Sequence, residues 1–160
     1  MPPSEFVYQY DMDENGALYF LGSQGKRRQW QNPHATLQCQ VYASSLGAGQ
    51  LEDFVGRVAT NCRTQNEPNS YFGVDIGQDR MLLPTCYTIR NRNSTTHVMM
   101  NWQFEGSCDK VNWTVLDRRV YLTGHTEEDL QFEKEQKELC QKGQTSTWAV
   151  DTDIYREIGF

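Results

Sequence analysis

Basic residues are in the minority here: 15 Lys and Arg stand against 21 Asp and Glu, a formal net charge of -6 over 160 residues. A chain without a broad positive field makes nucleic acid a poor partner. No apolar run approaches the ~20 residues that cross a bilayer, so no membrane partner is expected. The opening Met1-Pro2-Pro3-Ser4-Glu5 has neither a basic start nor an apolar run, which argues against a signal peptide and for a cytoplasmic protein. Cysteine is sparse and scattered. Cys39, Cys62, Cys86, Cys108 and Cys140 include no pair close enough for a zinc knuckle, and an odd number suits reduced thiols. The three histidines, His34, His97 and His125, lie in separate polar stretches without ligand spacing. There is no glycine-rich loop leading to Lys-Ser or Lys-Thr, and no G-x-S-x-G elbow. We therefore expect no catalytic residue, no cofactor and no metal centre.

Aromatic residues are plentiful: four Trp, eight Tyr and seven Phe. Rings of this size fill the gap between two packed sheets. Between Tyr71 and Leu116 the pattern has period two, interrupted by Gly, Pro, Asn and Asp, which is the pattern of half-buried antiparallel strands. Tyr71–Ile76 reads as a strand stopped by Gly77, and Pro84–Arg90 as a second. Asn101–Gly106 forms a third, with Trp102 and Phe104 on one face. Asp109–Asn112 is a turn, and Trp113–Leu116 answers as a fourth strand. Trp102 and Trp113 are expected in the core. Asp75, just inside a buried strand, is expected to bond loop amides rather than do chemistry, since an unpaired buried carboxylate is costly.

Flanking segments are less regular. Asp11-Met12-Asp13-Glu14-Asn15-Gly16 is dense in turn formers, and Leu18–Leu21 reads as a buried strand. Asp11, Asp13, Asn15 and Gly16 match the first half of an EF-hand loop. Its twelfth position is Gly22, where a bidentate Glu is required, so an acidic turn is favoured over calcium. Lys26-Arg27-Arg28 precedes Trp30, which either folds back on the core or serves as a stacking platform beside an anion site. Gln38–Ala43 alternates as a strand. Leu51, Phe54, Val55 and Val58 have helical spacing over one or two turns. Arg90–His97 is the longest polar loop between strong strands and suits ligand contact. Thr126 to Gly143 has helix start and stop signals around a thin apolar face, and Thr145–Val150 returns to strand. Two sequons occur, at Asn93 and Asn112; the second is better read as a turn residue.

The central stretch resembles the discoidin-type, galactose-binding-like domain (coagulation factor V/VIII type C). The elements that carry the likeness are Tyr71-Phe72-Gly73-Val74-Asp75-Ile76-Gly77, then Leu83-Pro84 with Tyr87, Ile89 and Arg90. Asn101-Trp102 with Phe104 follows, and Ser107, Asp109 and Asn112-Trp113-Thr114 complete it. Tyr10-Asp11, Asp13-Glu14-Asn15-Gly16, Trp30, Asn32-Pro33, Leu51-Glu52-Asp53, Asn61-Cys62 and Thr147-Trp148 look like the version found in large HECT-type ubiquitin ligases and BTB-domain adaptors. The resemblance covers most of residues 8 to 150. It implies a single all-β domain over residues 1–160, an antiparallel jelly-roll sandwich with one or two short helices. One of these helices is a late insertion at about 126–143. The closing strands of the family are short or absent after Trp148: either Ile154 to Phe160 begins them or the chain is truncated at the C-terminus.

On that resemblance the chain is expected to be a non-catalytic binding module of a ubiquitin-pathway protein. It would recruit a protein or peptide, acidic in character, through Lys26, Arg27, Arg28, Trp30, Arg90, Arg92 and His97. The alternative is a lectin-like, carbohydrate-binding domain. A third reading is a structural module that docks only on its own parent chain, through the helical stretch after Thr126.

Overall fold

The computed structural model describes residues 4–90, 99, 101–120, 127, 128, 131, 134, 135 and 145–149, the last five by backbone alone. The chain divides into two compact units, Met1–Leu82 and Leu83–Phe160. Among the described residues, six strands form three two-stranded antiparallel sheets. Among the described residues the regular structure is thus mostly strand, with little helix.

In the first unit, helix α1 spans Ala17–Gly22. This corrects the expected strand at Leu18–Leu21. A short apolar run has no period of its own, and local signals decide it. Leu18 and Leu21, three apart, share one helix face and reach the core together. The helix ends where Gln24 (φ 49°) and Gly25 (φ 73°) turn left-handed, and the Gly25 amide bonds the Phe20 carbonyl at 2.8 Å. Strand β1, Gln40–Ala43, pairs with β2, Phe72–Asp75, in the register Gln40↔Asp75 to Ala43↔Phe72. Tyr42 faces Gly73 in that register, and its ring lies over the glycine where any side chain would collide. A 3-10 turn at Leu51–Val55 has a reciprocal cap between Gln50 and Asp53 and packs on β1. Leu51 and Val55 turn inward as their spacing predicts. Val58 does not: it lies beyond the turn and is exposed.

The core of this unit is Leu21, Cys39, Val41 and Val55, flanked by Leu18, Leu51, Phe72, Val74 and Ile76. Phe54 stacks on Phe72 at 4.5 Å between centroids. Asp75 behaves as expected, accepting the Gly77 amide at 2.9 Å, while Gly77 stops the strand with φ 90°. Burial pushes the thiols of Cys39 and Cys62 above their ordinary pKa. Cys39, Cys62, Cys86 and Cys108 are all free, and only Cys108 of these is exposed. A time course of alkylation, mapped by peptide mass, is expected to label Cys108 first and Cys39 only on unfolding. Equal rates at the two would show that the core around Cys39 is not closed.

In the second unit, β3 (Cys86–Arg90) pairs with β6 (Thr145–Ala149), and β4 (Asn101–Gly106) with β5 (Thr114–Val120). The β4–β5 register shifts between Phe104 and Glu105, so Leu116 is the extra residue of a bulge and turns into the interior. Period two from Leu116 places Thr114 on the inward side. Trp113 falls on the other face, 46% exposed, against the expectation that it is core. Trp102 and Phe104 do share the half-buried face of β4. The turn before β5 is built on Asp109, whose carboxylate accepts the amides of Val111 and Asn112, the Asn112 side chain and the Ser107 hydroxyl. These bonds, those from Asn112 foremost, hold it well below the usual carboxylate range. Of the expected helix at about 126–143, the described Glu127, Glu128, Gln131, Lys134 and Glu135 are helical and exposed. Its remaining positions, and the expected sequon at Asn93, lie outside the described residues.

Candidate functional site

The three consecutive cations follow α1, and the backbone there is held tightly. The Ser23 hydroxyl accepts the Lys26 amide at 3.0 Å, and the Ser23 carbonyl accepts the Arg28 amide at 3.0 Å. Ser23 is itself buried, so the loop is anchored rather than loose. The turn puts Lys26 in the left-handed region at φ 63°.

The cations are not equivalent. Lys26 Nζ donates to the Asn15 side-chain oxygen at 3.3 Å. Arg27 Nε donates to the Gln24 carbonyl at 2.9 Å. The Arg28 guanidinium makes no hydrogen bond or ion pair among the described residues. Instead it lines a cavity of about 230 Å³ together with Gly22, Gln24, Gln29, Gln31 and Thr36.

Trp30 is half-buried, with its indole nitrogen packed against Gly22. Of the two readings of this ring, the structure favours packing against the protein over an open platform. The backbone beyond it is fixed by Gln31, whose amide bonds the Gly22 carbonyl at 3.0 Å. Asn32 then accepts the His34 and Ala35 amides and donates to the Glu52 carbonyl at 2.8 Å. Pro33 is fully buried. His34 Nδ1 accepts the Val41 amide at 3.0 Å, so this histidine fixes the start of β1.

Of the remaining expected site residues, Arg90 ends β3 in the second unit and is half-buried. Arg92 and His97 lie outside the described residues. Sequence reasoning missed Gln24, Gln29, Gln31 and Thr36. Neutral amides carry no spacing signal, and only the closing of the chain behind α1 brings them together.

The acidic turn at Asp11–Gly16 is locally satisfied. The Asp13 carboxylate accepts the amides of Gln9 at 2.8 Å and Asn15 at 3.0 Å. Burial opposes its ionisation, but these backbone bonds prevail and lower its pKa. Arg57 ties the turn down, donating to the Met12 carbonyl at 2.7 Å and lying 4.8 Å over the Tyr19 ring. Among the described residues no group of three His, Cys, Asp or Glu side chains is placed to hold a metal. No described helix is long and apolar enough to cross a membrane.

The sequence is 32% identical, over 96% of this chain, to the E3 ubiquitin-protein ligase Ufd4 of Drosophila melanogaster. It is 29% identical over 91% of the chain to the E3 ubiquitin-protein ligase hecd-1 of Caenorhabditis elegans. It is 25% identical, also over 91%, to the BTB/POZ domain-containing protein At2g30600 of Arabidopsis thaliana. The chain spans only 5% of the length of each ligase and 17% of the BTB/POZ protein. No family model matches the sequence, and no solved structure matches it.

Proposed function

We propose that this chain is a non-catalytic recruiting module of an intracellular ubiquitin-pathway protein, folded as a discoidin-type jelly-roll sandwich. One observation carries the reading. Nearly the whole chain recurs as a small fraction of two proteins named ubiquitin ligases and of one named for a BTB/POZ domain. A segment common to differently named proteins, at 5% of a ligase's length, suits a portable binding unit better than the ligase chemistry itself. The free thiols of Cys39, Cys62, Cys86 and Cys108 accord with a reducing compartment. The partner is a protein or peptide, met by the anchored basic loop at Lys26–Arg28 of the first unit; Arg90, Arg92 and His97, in the second unit's sequence, are separate candidates.

The test is affinity capture with the 160-residue chain and with a variant in which Lys26, Arg27, Arg90 and Arg92 are reversed to Glu. Loss of specific protein partners from the variant is the expected result. An unchanged set of partners removes these residues from the site. Strong, selective binding on a glycan array by the unmodified chain would replace this reading with a carbohydrate-binding one.

A further inference from the structure

Only one of the three consecutive cations stands free over a cavity. Lys26 and Arg27 are each bonded within the loop, to Asn15 and to the Gln24 carbonyl. Arg28 makes no such bond among the described residues, and of these it is the one charged residue lining the cavity behind α1. The other described residues that line it are Gly22, Gln24, Gln29, Gln31 and Thr36, none of them charged. Thr36 already donates to the Asn32 carbonyl at 3.2 Å and has no proton left for an anion, so any donors must come from Arg28 and the glutamines.

We propose that this cavity seats one carboxylate side chain of an acidic peptide, Glu or Asp, with Arg28 as the charge partner and the glutamine amides as supporting donors. The proposal rests on the peptide-recruiting reading above and gives it a ligand class. Size supports it. Pockets for drug-sized ligands run to roughly 300–1,000 Å³, and this one, at about 230 Å³, is smaller than those and has room for one side chain. Charge supports it too. A guanidinium presents a planar fork that fits a carboxylate in bidentate fashion, whereas a phosphate of nearly two charges is usually met by a cluster of arginines. One arginine among neutral amides is built for a single negative charge. The walls are also pre-set, because Ser23, the Gly22–Gln31 backbone bond and buried Pro33 fix the segments that carry them. A fixed site loses less entropy on binding.

The probe is N-acetyl-glutamate α-amide, titrated into the isotopically labelled 160-residue chain and followed in proton–nitrogen spectra. N-acetyl-glutamine α-amide, the same shape without the charge, is the control. The expected result is a saturable shift of the Gln24, Gln29, Gln31 and Trp30 indole signals by the glutamate compound. It should weaken at least about fivefold with the glutamine compound and with Arg28→Gln. Arg28 is exposed and its side chain bonds to nothing among the described residues, so the variant should keep the unmodified spectrum elsewhere. Equal response to both compounds, an undiminished response in Arg28→Gln, or displacement by methyl galactoside would overturn the proposal. Should the pocket bind glutamate while no protein is captured, the recruiting reading fails and the pocket stands. Should capture depend on the loop while Arg28→Gln and the probe do nothing, the pocket fails and the module stands.

Discussion

Gly22→Ala is expected to destabilise the first unit by about 2 kcal/mol, although alanine is the better helix former by about 1 kcal/mol. Gly22 is the last residue of α1 and is buried. A methyl group there would collide with the Trp30 indole nitrogen and come within 2.5 Å of the Gln31 carbonyl oxygen. The indole has some room to swing, but the carbonyl is backbone, held by the bond between the Gln31 amide and the Gly22 carbonyl. Overpacking of this kind costs roughly 1–3 kcal/mol, and more where backbone must yield. Strain therefore outweighs propensity. Gly16→Ser is the internal control. Gly16 caps the same helix in extended conformation, with open space around it, and a hydroxyl there should add a few tenths of a kcal/mol. Urea unfolding followed by tryptophan fluorescence reads both variants. A Gly22→Ala protein as stable as its parent would show that Trp30 does not pack where the structure has it.

That pair of glycines also marks how far the sequence could be read. Strands with strong alternation were legible: β1, β2, β3, β4 and β6 lie within a few residues of their expected positions. So was the Asp75–Gly77 stop, because the chemistry of a strand-ending Asp is local. The helix at Ala17–Gly22 was not, since four apolar residues in a row specify burial without specifying period. Trp113 was misplaced for a related reason. It precedes β5 and lies opposite Leu116 by simple alternation, and alternation alone does not say which of the two faces is the inward one. The basic loop was visible as a charge run. Which of its cations is free depends on Asn15 and on the Gln24 carbonyl, partners set by tertiary closure and α1's end. The amide walls of the pocket left no trace at all in the pattern.

This has a consequence for function. Charge runs are usually taken to act as a unit, but here two of three cations have internal partners that solvent and salt readily compete for. On the proposed recruiting reading, Lys26 and Arg27 would contribute long-range attraction and Arg28 direct contact. Substitution of the first two should alter association rate and its salt dependence, and substitution of Arg28 should alter residence time.

The second unit should be most sensitive at Tyr87. Its hydroxyl donates to Asp117 Oδ2 at 2.5 Å and accepts from the Trp102 indole at 2.9 Å, while its ring stacks on Phe104 at 4.4 Å. These contacts join β3 to the β4–β5 sheet, and Arg119 Nε donates to the same Asp117 oxygen at 3.0 Å. Tyr87→Phe keeps the stacking and deletes both hydrogen bonds, one of them to a charged group. At about 1 kcal/mol for a neutral bond and 1.5–3 for a charged one, a loss of about 2–4 kcal/mol is expected. Burial, then the bond to Asp117, pushes the Tyr87 hydroxyl up to about 12 from an ordinary value of 10. The folded state therefore holds this proton more tightly than the unfolded one. The associated stability is fully present below pH 10 and is lost as pH rises toward 12. In full the difference corresponds to about 2.7 kcal/mol, and solvent access to the half-buried ring reduces it to about 1–2. Tyr19 is raised as well, by burial and then by Glu14, so the parent protein alone does not isolate the effect. The difference between parent and Tyr87→Phe does. Measured by urea unfolding at steps from pH 9 to pH 12, it should be constant to pH 10 and then shrink. A difference that stays flat to pH 12 would mean that the proton on Tyr87 is held no more tightly folded than unfolded, and that the Asp117 bond does not join the sheets.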